Sequence, residues 1–487
     1  MVLSAAGIWA CESAVDGPAP QIEAPDSGAP AIEPGYVCRD QLTTEVRIHG
    51  RAFSPSPIDV PGDPRTALPT LTLVGRQGLD GATPPAAGAA DVRYGGEREQ
   101  INAAKLTWQS QQQLTFTVDQ ELVLDDTGAT GRLPAAVFDV RVLNPTGNQV
   151  EVPAQLAAID RPSLTEVTPS ITCLAQGERT VRLDGASQAV IDGLPATVDI
   201  GPASDFAIGE FQDCTDVPHE TVPGKLCTAA DVPLAQDALP VGFHGITFQN
   251  PAPAACHSEE DIRLRVVPPP SLTGVRPPLV CTAEGEREVI LDGADLLDID
   301  GMLPAVTMTA PDGTPMAITV RSLGGTCEML ETRNHEVRTC TEITVVLPQD
   351  PALAAPYAPV FELTNPGPAG CLATLEDALI ITPPPVIVEA VPPAICTGER
   401  DRDVEIRGEG FLEVDGTPPA VKMDDLDVEV ISFADCDTLP VVGMTVQRCA
   451  SMTVRVPQGE LAVAMGEAYA QPLIRVENPQ PAGCFVV

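Results

Sequence analysis

The stretch Val476-Glu477-Asn478-Pro479-Gln480-Pro481-Ala482-Gly483-Cys484 decides the fold, because the chain repeats it. Copies with the same Asn-Pro start and final cysteine run from Leu363 to Cys371 and from Phe248 to Cys256. A shorter copy, residues 142–147, lacks the cysteine. Four copies of a strand end followed by an Asn-Pro turn indicate four copies of one module.

The composition is typical of a folded chain with many short elements. The 487 residues include 51 Pro and 40 Gly, so turns are frequent, yet 44% of residues are hydrophobic, which argues against disorder. The apolar residues form short runs of Val, Ile, Leu and Ala between breakers, a pattern that predicts strands. The length alone suggests roughly three or four domains.

The charge excludes some classes of partner. The chain has 28 Lys and Arg against 68 Asp and Glu, a net charge of −40. Such a surface repels nucleic-acid phosphates and anionic lipid, so we expect neither as a partner. The acidic excess favours solubility and mutual repulsion between copies.

The modules share further landmarks. Openings of the type Pro-x-apolar-x-x-apolar-x-Pro, at 162–169, 270–277 and 385–392, precede Cys173, Cys281 and Cys396, which are 108 (281 − 173) and 115 (396 − 281) residues apart. An alternating strand follows and is expected to end at Gly185, Gly293 or Gly408, before an Asp-Gly turn. About seven short strands per ~110 residues predict an all-β fold of tandem immunoglobulin-like β-sandwiches.

These landmarks give the expected domain boundaries. They are a leader remnant and tether at 1–35, module one at 36–161 with an insertion at 78–112, module two at 162–268, module three at 269–384, and module four at 385–487.

The module pattern resembles the IPT/TIG domain. The resemblance rests on the opening at 385–392, on Val404 to Phe411 and on Val476 to Pro479, and it extends over nearly all of the chain from residue 36. Modules one and four keep a Gly-x-x-Phe turn, at Gly50 and Gly408, whereas modules two and three do not, and the cysteines are a departure. The resemblance implies a tandem spacer or binding module of a bacterial cell surface, without catalytic residues.

The first residues have two interpretations. Ile8-Trp9-Ala10-Cys11 resembles a bacterial lipobox, with Cys11 as the site of lipid attachment, although Trp9 and the lack of a basic segment depart from that pattern. The alternative is an ordinary secretory signal remnant or a disordered end. No apolar run reaches the ~20 residues of a membrane helix, so a lipid anchor is the only membrane attachment that we expect.

No catalytic constellation or cofactor motif is present. The five histidines are scattered, and we interpret them as surface residues. Asp295, Asp298 and Asp300 are weak candidates for calcium ligands, and we favour an Asp-Gly turn at Asp300-Gly301 instead. Trp108, in the insertion, is a candidate ligand contact, with a core position as the alternative.

The 14 cysteines include no Cys-x-x-Cys, so we expect disulfides and an oxidising compartment rather than zinc. Three pairs share one constant spacing in sequence, and we expect each to flank the link between strands D and E: Cys214–Cys227, Cys327–Cys340 and Cys436–Cys449.

The other cysteines are predicted to pair between modules. In sandwich order an early cysteine lies in the A–B link and a late one in the F–G link, at opposite ends of strands ~20 Å long. A disulfide needs Cα atoms within ~7 Å, so the expected pairs join neighbouring modules into a rigid rod: Cys38–Cys256, Cys173–Cys371 and Cys281–Cys484. The alternative is pairing within modules, which would leave Cys38 unpaired. Pairing between modules leaves Cys396 unpaired.

Only Phe485-Val486-Val487 follow Cys484, so strand G of module four is expected to be incomplete, with an open edge that another strand fills. The sequence therefore predicts a non-enzymatic, extracytoplasmic structural or adhesion protein, secreted or lipid-anchored, whose partner is a protein or a surface polysaccharide. A glycan-binding module with Trp108 at its site is the alternative.

Overall fold

The computed structural model describes residues 17–58, 65–83, 91–95, 103–120, 123–124, 130–350, 353–396, 398, 400–461 and 471–487. Apart from a 3-10 turn at Ala103–Lys105, the regular elements in these ranges are β-strands, so the all-β prediction is confirmed. By packing, the chain divides into two compact units, Met1–Ser170 with Glu178–Arg265 and Ile171–Gly177 with Val266–Val487. Within the described ranges no helix is long and apolar enough to span a membrane.

The strands fall into four groups in chain order, which we call the first to fourth strand groups. The first comprises β1 (Gln21–Ile22), β2 (Ile32–Glu33), β3 (Tyr36–Cys38), β4 (Thr44–Arg51), β5 (Ser56–Ile58), β6 (Arg65–Ala67), β7 (Thr70–Gln77), β8 (Val92–Tyr94), β9 (Leu106–Ser110), β10 (Gln113–Val118), β11 (Val123–Leu124), β12 (Thr130–Gly131), β13 (Ala136–Leu143) and β14 (Gln149–Ile159). The second comprises β15 (Ser163–Thr168), β16 (Ile171–Thr172), β17 (Arg179–Ile191), β18 (Leu194–Pro195), β19 (Thr197–Ile200), β20 (Ala203–Ala207), β21 (Glu210–Gln212), β22 (Thr215–Val217), β23 (Gly224–Leu234), β24 (Gly242–Gln249) and β25 (Ile262–Val266).

In the part of the chain that the structure describes, the last two groups contain fewer strands than the first two. The third comprises β26 (Ser271–Arg276), β27 (Leu279–Val280), β28 (Arg287–Ile299), β29 (Ala305–Thr309), β30 (Pro315–Leu330), β31 (Val337–Leu347), β32 (Phe361–Thr364), β33 (Leu372–Leu375) and β34 (Ile380–Ile381). The fourth comprises β35 (Val386–Val391), β36 (Arg402–Val414), β37 (Ala420–Met423), β38 (Leu426–Leu439), β39 (Val446–Val456), β40 (Ile474–Glu477) and β41 (Phe485–Val486).

The fourth strand group has the strand order of an immunoglobulin sandwich. Its order β35-β36-β39-β38-β37-β40-β41 becomes A-B-E-D-C-F-G when the strands are lettered along the chain. Strands A, B, E and D make one sheet and C, F and G the other, as in constant-type immunoglobulin domains. Strand β38 passes between the sheets, since it pairs with β37 up to Val428 and with β39 from Glu429 onward.

The other groups follow the same plan. The third has the order β26-β28-β31-β30-β29-β32-β33. The first splits into β1-β4-β10-β9 and β3-β14-β13-β7-β8, and the second contains β15-β17-β23-β21 and β24-β19-β20. The prediction of tandem immunoglobulin-like sandwiches is therefore confirmed.

Strand B does not end at the glycine, contrary to expectation. Strands β17, β28 and β36 run past Gly185, Gly293 and Gly408 for six further residues. A bulge after each glycine shifts the register against strand E, after which the pairing resumes. The glycines are needed because a Cβ there would collide with a carbonyl oxygen of strand A.

Alternation along the strands builds the core of the fourth strand group. In β36, Val404 and Ile406 are buried, while the alternate residues Glu405 and Arg407 are more exposed. Val454 of β39 and Val476 of β40 complete that core from both sheets. Each fully buried side chain of this size stabilises the fold by ~1.5–3 kcal/mol.

Candidate functional site

The late cysteines lie in three loops of one geometry. In each, the backbone N–H of the Asn that starts the loop donates to the carbonyl of the cysteine that ends it, at 2.8 Å, and the residue before the cysteine donates to the carbonyl of the first proline. The second proline of each loop follows a cis peptide bond. The repeated stretch therefore forms a closed loop between strands F and G, which presents its cysteine at one end of the sandwich.

The Asn side chain attaches each loop to the bulge in strand B. In the fourth strand group, Asn478 accepts from the N–H of Leu412 at 3.0 Å and donates to the carbonyl of Gly410 at 2.8 Å. Three other Asn side chains make the same pair of contacts: Asn144, Asn250 and Asn365. All four are nearly fully buried. Sequence reasoning interpreted this Asn only as a turn former, although its presence in all four copies was the signal for a second role.

Three of the early cysteines lie at or directly after the short segment of strand A that pairs with strand G of the same sandwich. Tyr36–Cys38 pairs in parallel with Ala157–Ile159, and Leu279–Val280 pairs in parallel with Ile380–Ile381. The next residues then lie at the opposite end of the sandwich from the F–G loop. Cys38, Cys173 and Cys281 are completely buried.

The structure brings three of the four early cysteines to a late cysteine of the following strand group. The three disulfides are Cys38–Cys256, Cys173–Cys371 and Cys281–Cys484, with Cα–Cα distances of 5.9, 6.0 and 5.9 Å. These distances lie in the ordinary range for a disulfide. Cys396 is free and exposed.

A side chain three residues after the early cysteine adds to each junction. Gln41 donates to the carbonyl of His257 and accepts from its N–H, at 3.1 and 2.7 Å. Gln176 makes the same pair of contacts with Leu372, and Glu284 accepts from the N–H of Phe485 at 2.6 Å. In every case the partner is the residue directly after the late cysteine.

Apolar clusters surround the disulfides. The small residue two positions before each late cysteine is fully buried: Ala254, Ala369 and Ala482. Each packs in a cluster that also contains residues from the start of the preceding sandwich, such as Tyr36, Ile171 or Leu279. A covalent bond, a backbone-directed side chain and a hydrophobic cluster thus act together at each junction.

The junction of the first and second strand groups also contains a buried histidine, which corrects the interpretation of the histidines as surface residues. His219 stacks on Tyr36, with 5.0 Å between ring centroids. Its Nδ1 accepts from the N–H groups of Thr221 and Val222, so the proton sits on Nε2, which donates to the carbonyl of Gly35 at 3.1 Å. Desolvation by burial lowers the pKa of His219.

The other disulfides lie across paired strands. Cys327 faces Cys340 and Cys436 faces Cys449 in register, with Cα–Cα distances of 4.2 and 4.0 Å. Cys214–Cys227 is equivalent, at 4.0 Å. Each pair lies on either side of the link between the two strands, with further paired residues between the cysteines and the turn.

The structure does not bring the candidate calcium ligands together. Asp298 pairs with Arg338 at 2.9 Å, and Asp300 accepts from His335 and from the N–H of Glu336. Asp295 lies in the strand-B bulge, where desolvation by burial raises its pKa. Among the described residues no group of three acidic, His or Cys side chains is placed to hold a metal ion.

Trp108 packs partly buried against the first core, and its indole N–H donates to the carbonyl of Phe53 at 2.8 Å. Tyr94, from the same insertion, is completely buried in that core. Cys11, the candidate for lipid attachment, lies outside the described residues, as does much of the insertion.

Comparisons with known protein families and with curated proteins found no match. Among solved structures, the chain is similar to the D1–D4 ectodomain fragment of ICAM-5 (13% identity, 87% of this chain and 98% of that one, TM-score 0.19). It is also similar to a tetra-tandem repeat in the extending region of a large adhesion protein (8%, 92% and 95%, 0.19). A third is the Bacteroides ovatus mixed-linkage glucan utilization locus SGBP-B with a mixed-linkage heptasaccharide (11%, 86% and 94%, 0.14). At these TM-scores the likeness carries no argument about function.

Proposed function

We propose that the chain is a non-enzymatic, extracytoplasmic structural protein: a disulfide-stapled stalk or interaction array at a bacterial surface. Its units would be four sandwiches, at 36–161, 162–268, 269–384 and 385–487. Six disulfides fit an extracellular location, because thiols stay reduced in the cytosol. The IPT/TIG resemblance and the lipobox-like start support the bacterial surface.

The observation that carries this proposal is the overlap of the three junction disulfides along the sequence. Each spans about 200 residues, and each begins before the preceding one ends. A covalent path therefore crosses from Cys38 to Cys256, follows the chain to Cys281 and crosses to Cys484. The short segment between Cys256 and Cys281 is the only backbone on this path, although the path joins an early residue of the chain to one of its last.

Such a path protects the sandwiches from tension. When the chain is pulled from its ends, the force between Cys38 and Cys484 runs through two disulfides and one short segment. The segment reaches at most about 90 Å when extended, at ~3.5 Å per residue. The sandwiches outside the segment then cannot be drawn out, which suits a stalk that holds a load.

Single-molecule stretching of the full chain tests the proposal. Under oxidising conditions the region from Cys38 to Cys484 should lengthen to no more than about 90 Å, whereas full reduction should release up to about 1,600 Å. Stepwise release of several hundred Å from the oxidised chain would contradict a load-bearing role.

The surface location has a separate test. Because Val388 of β35 is exposed, a membrane-impermeant maleimide should label a Val388→Cys/Cys396→Ser variant on intact cells. A Cys396→Ser variant supplies the background. Labelling that appears only after lysis would show that the chain is not displayed.

A further inference from the structure

Cys396 is held in the same backbone setting as a cysteine that forms a junction. The Nε of Arg402 donates to the carbonyl of Cys396 at 2.7 Å, and the Nε of Arg287 donates to the carbonyl of Cys281 at 2.9 Å. In both cases the arginine follows the cysteine by six residues. The A–B link of the fourth strand group therefore shares this backbone contact with the third, although the described residues there include no strand that corresponds to β27.

The A–B links of the third and fourth strand groups differ in whether other residues pack over them. Cys281 and Leu279 are completely buried, whereas Cys396 and Ala394, the corresponding residues, are exposed. The same two positions are buried in the other sandwiches, at Tyr36 and Cys38 and at Ile171 and Cys173. Beside Cys396 lies an open cavity of about 550 Å³, lined by Pro392, Ala394, Ile395 and Arg400–Asp403.

At the three closed junctions, the segment that packs over the A–B link has the same chemistry. It is an uncharged F–G loop that supplies a cysteine, a buried alanine two positions earlier and a backbone N–H just after the cysteine. By analogy with Leu279 and Ala482, this loop would place its alanine on Ala394 and its cysteine against Cys396. The same F–G loop would therefore fit both the free thiol and the apolar residues beside it.

A second copy of this chain does not offer that complement. Its late cysteines Cys256, Cys371 and Cys484 are already bonded. The F–G loop of its first strand group has no cysteine, and there Asn148 donates to the carbonyl of Gly17. The occupant must therefore bring an unpaired loop of its own.

We propose that the face formed by Ala394, Ile395 and Cys396 binds the Asn-Pro-x-Pro-Ala-Gly-Cys loop of a further immunoglobulin-like module and bonds to its cysteine. The two thiols lose two protons and two electrons as the Sγ–Sγ bond forms. A low-molecular-weight disulfide takes up both and becomes two thiols. The array would in this way gain one more module at its fourth strand group, whatever ligand the sandwiches themselves bind.

A loop peptide tests the recognition on the full chain. A synthetic peptide of residues 474–487 is equilibrated with the protein in a glutathione redox buffer, and the mixed disulfide at Cys396 is quantified by mass spectrometry. We expect it to form about tenfold more than with a scrambled peptide that keeps the cysteine, which corresponds to ~1.4 kcal/mol. Cys396→Ser should abolish the adduct.

A second measurement covers the case in which the peptide does not adopt the loop. The full chain is extended after Val487 by a copy of its residues 375–487, which keeps the spacing between Cys371 and Leu375. Peptide mapping should find Cys396 joined to the copied Cys484, with a copy carrying Ser there as control.

Two results would overturn the proposal: Cys396 still open to alkylation in the extended chain, or Cys396–Cys396 dimers of the unextended chain as the main product in the redox buffer. Because Cys396 lies outside the path from Cys38 to Cys484 through Cys256 and Cys281, the stretching test of the stalk is independent of either outcome.

Discussion

The side-chain oxygen of Asn365 accepts a hydrogen bond from the backbone N–H of Leu297 at 3.0 Å, 68 residues away along the chain. Its amide nitrogen donates to the carbonyl of Asp295 at 2.8 Å. One side chain thereby satisfies two backbone groups of the strand-B bulge and fixes the F–G loop that presents Cys371.

We expect Asn365→Ala to lower the unfolding free energy of the third sandwich by ~2–4 kcal/mol, because it leaves the buried N–H of Leu297 without a partner. Hydrogen exchange of peptides from β28 measures the change. Asn334→Ala, at an exposed turn position of the same strand group, is the control and should alter stability by no more than ~0.5 kcal/mol. Equal effects of the two substitutions would refute the role of Asn365.

The glycine of strand B gives a second prediction. A Cβ on Gly293 would lie far inside contact distance of the Ser271 carbonyl oxygen, whereas one on Gly274, in the paired strand A, would meet nothing within 4 Å. Gly293→Ala should therefore displace strand A and cost ~3 kcal/mol or more, while Gly274→Ala should change stability by less than ~1 kcal/mol. Thermal unfolding of the two variants decides. A Gly293→Ala protein as stable as its control would contradict the close approach of the strands.

Much of the fold could be predicted because the same sequence landmarks recur in each module. The three copies of the Asn-Pro loop, the alternating strands and the Asp-Gly turns each identify a place in one sandwich, and their order gives the strand order. The constant spacing within the cysteine pairs Cys327–Cys340 and Cys436–Cys449 was informative for the same reason. It stays constant because the two cysteines face each other across a hairpin whose link has the same length in both groups, residues 331–336 and 440–445.

The missed features depend on contacts between distant residues. No local pattern shows that strand B continues past Gly293. Its continuation depends on the pairing with strand E, which resumes after the bulge. The burial of His219 likewise follows from its packing on Tyr36, in a different strand group, and not from its own neighbours in sequence. The acidic run from Asp295 to Asp300 looked like a cluster, but the pleat and the bulge direct its carboxylates to separate partners.

The buried histidine predicts a pH dependence for the first unit. Because desolvation lowers the pKa of His219 in the folded state, the unfolded chain binds a proton more readily, and stability is lost as the pH falls below the unfolded value of ~6.5. The loss can reach ~1.4 kcal/mol per pH unit until the folded pKa is passed. Calorimetry between pH 7.5 and 5.5 should show it in the wild type. His219→Gln should lack that component, and parallel curves for the two proteins would exclude a role for His219.

Two of the junction disulfides provide a matched test of the covalent path. Cys281–Cys484 and Cys173–Cys371 have sequence separations of 203 and 198 residues, so in the chain-entropy model each contributes about 5 kcal/mol, with almost no difference between them. They differ in mechanics. Only Cys281–Cys484 lies on the shortest path from Cys38, since the route through Cys173 follows far more backbone.

We therefore expect the Cys173→Ser/Cys371→Ser double variant to keep the wild-type limit of about 90 Å between Cys38 and Cys484 when the oxidised chain is stretched. The Cys281→Ser/Cys484→Ser double variant should instead lengthen by a further ~500 Å, because its shortest path returns from Cys256 to Cys173. Non-reducing digestion must first verify that the remaining disulfides are intact. Equal extension of both variants would mean that stability alone, and not the order of the overlapping disulfides, determines how the chain responds to force.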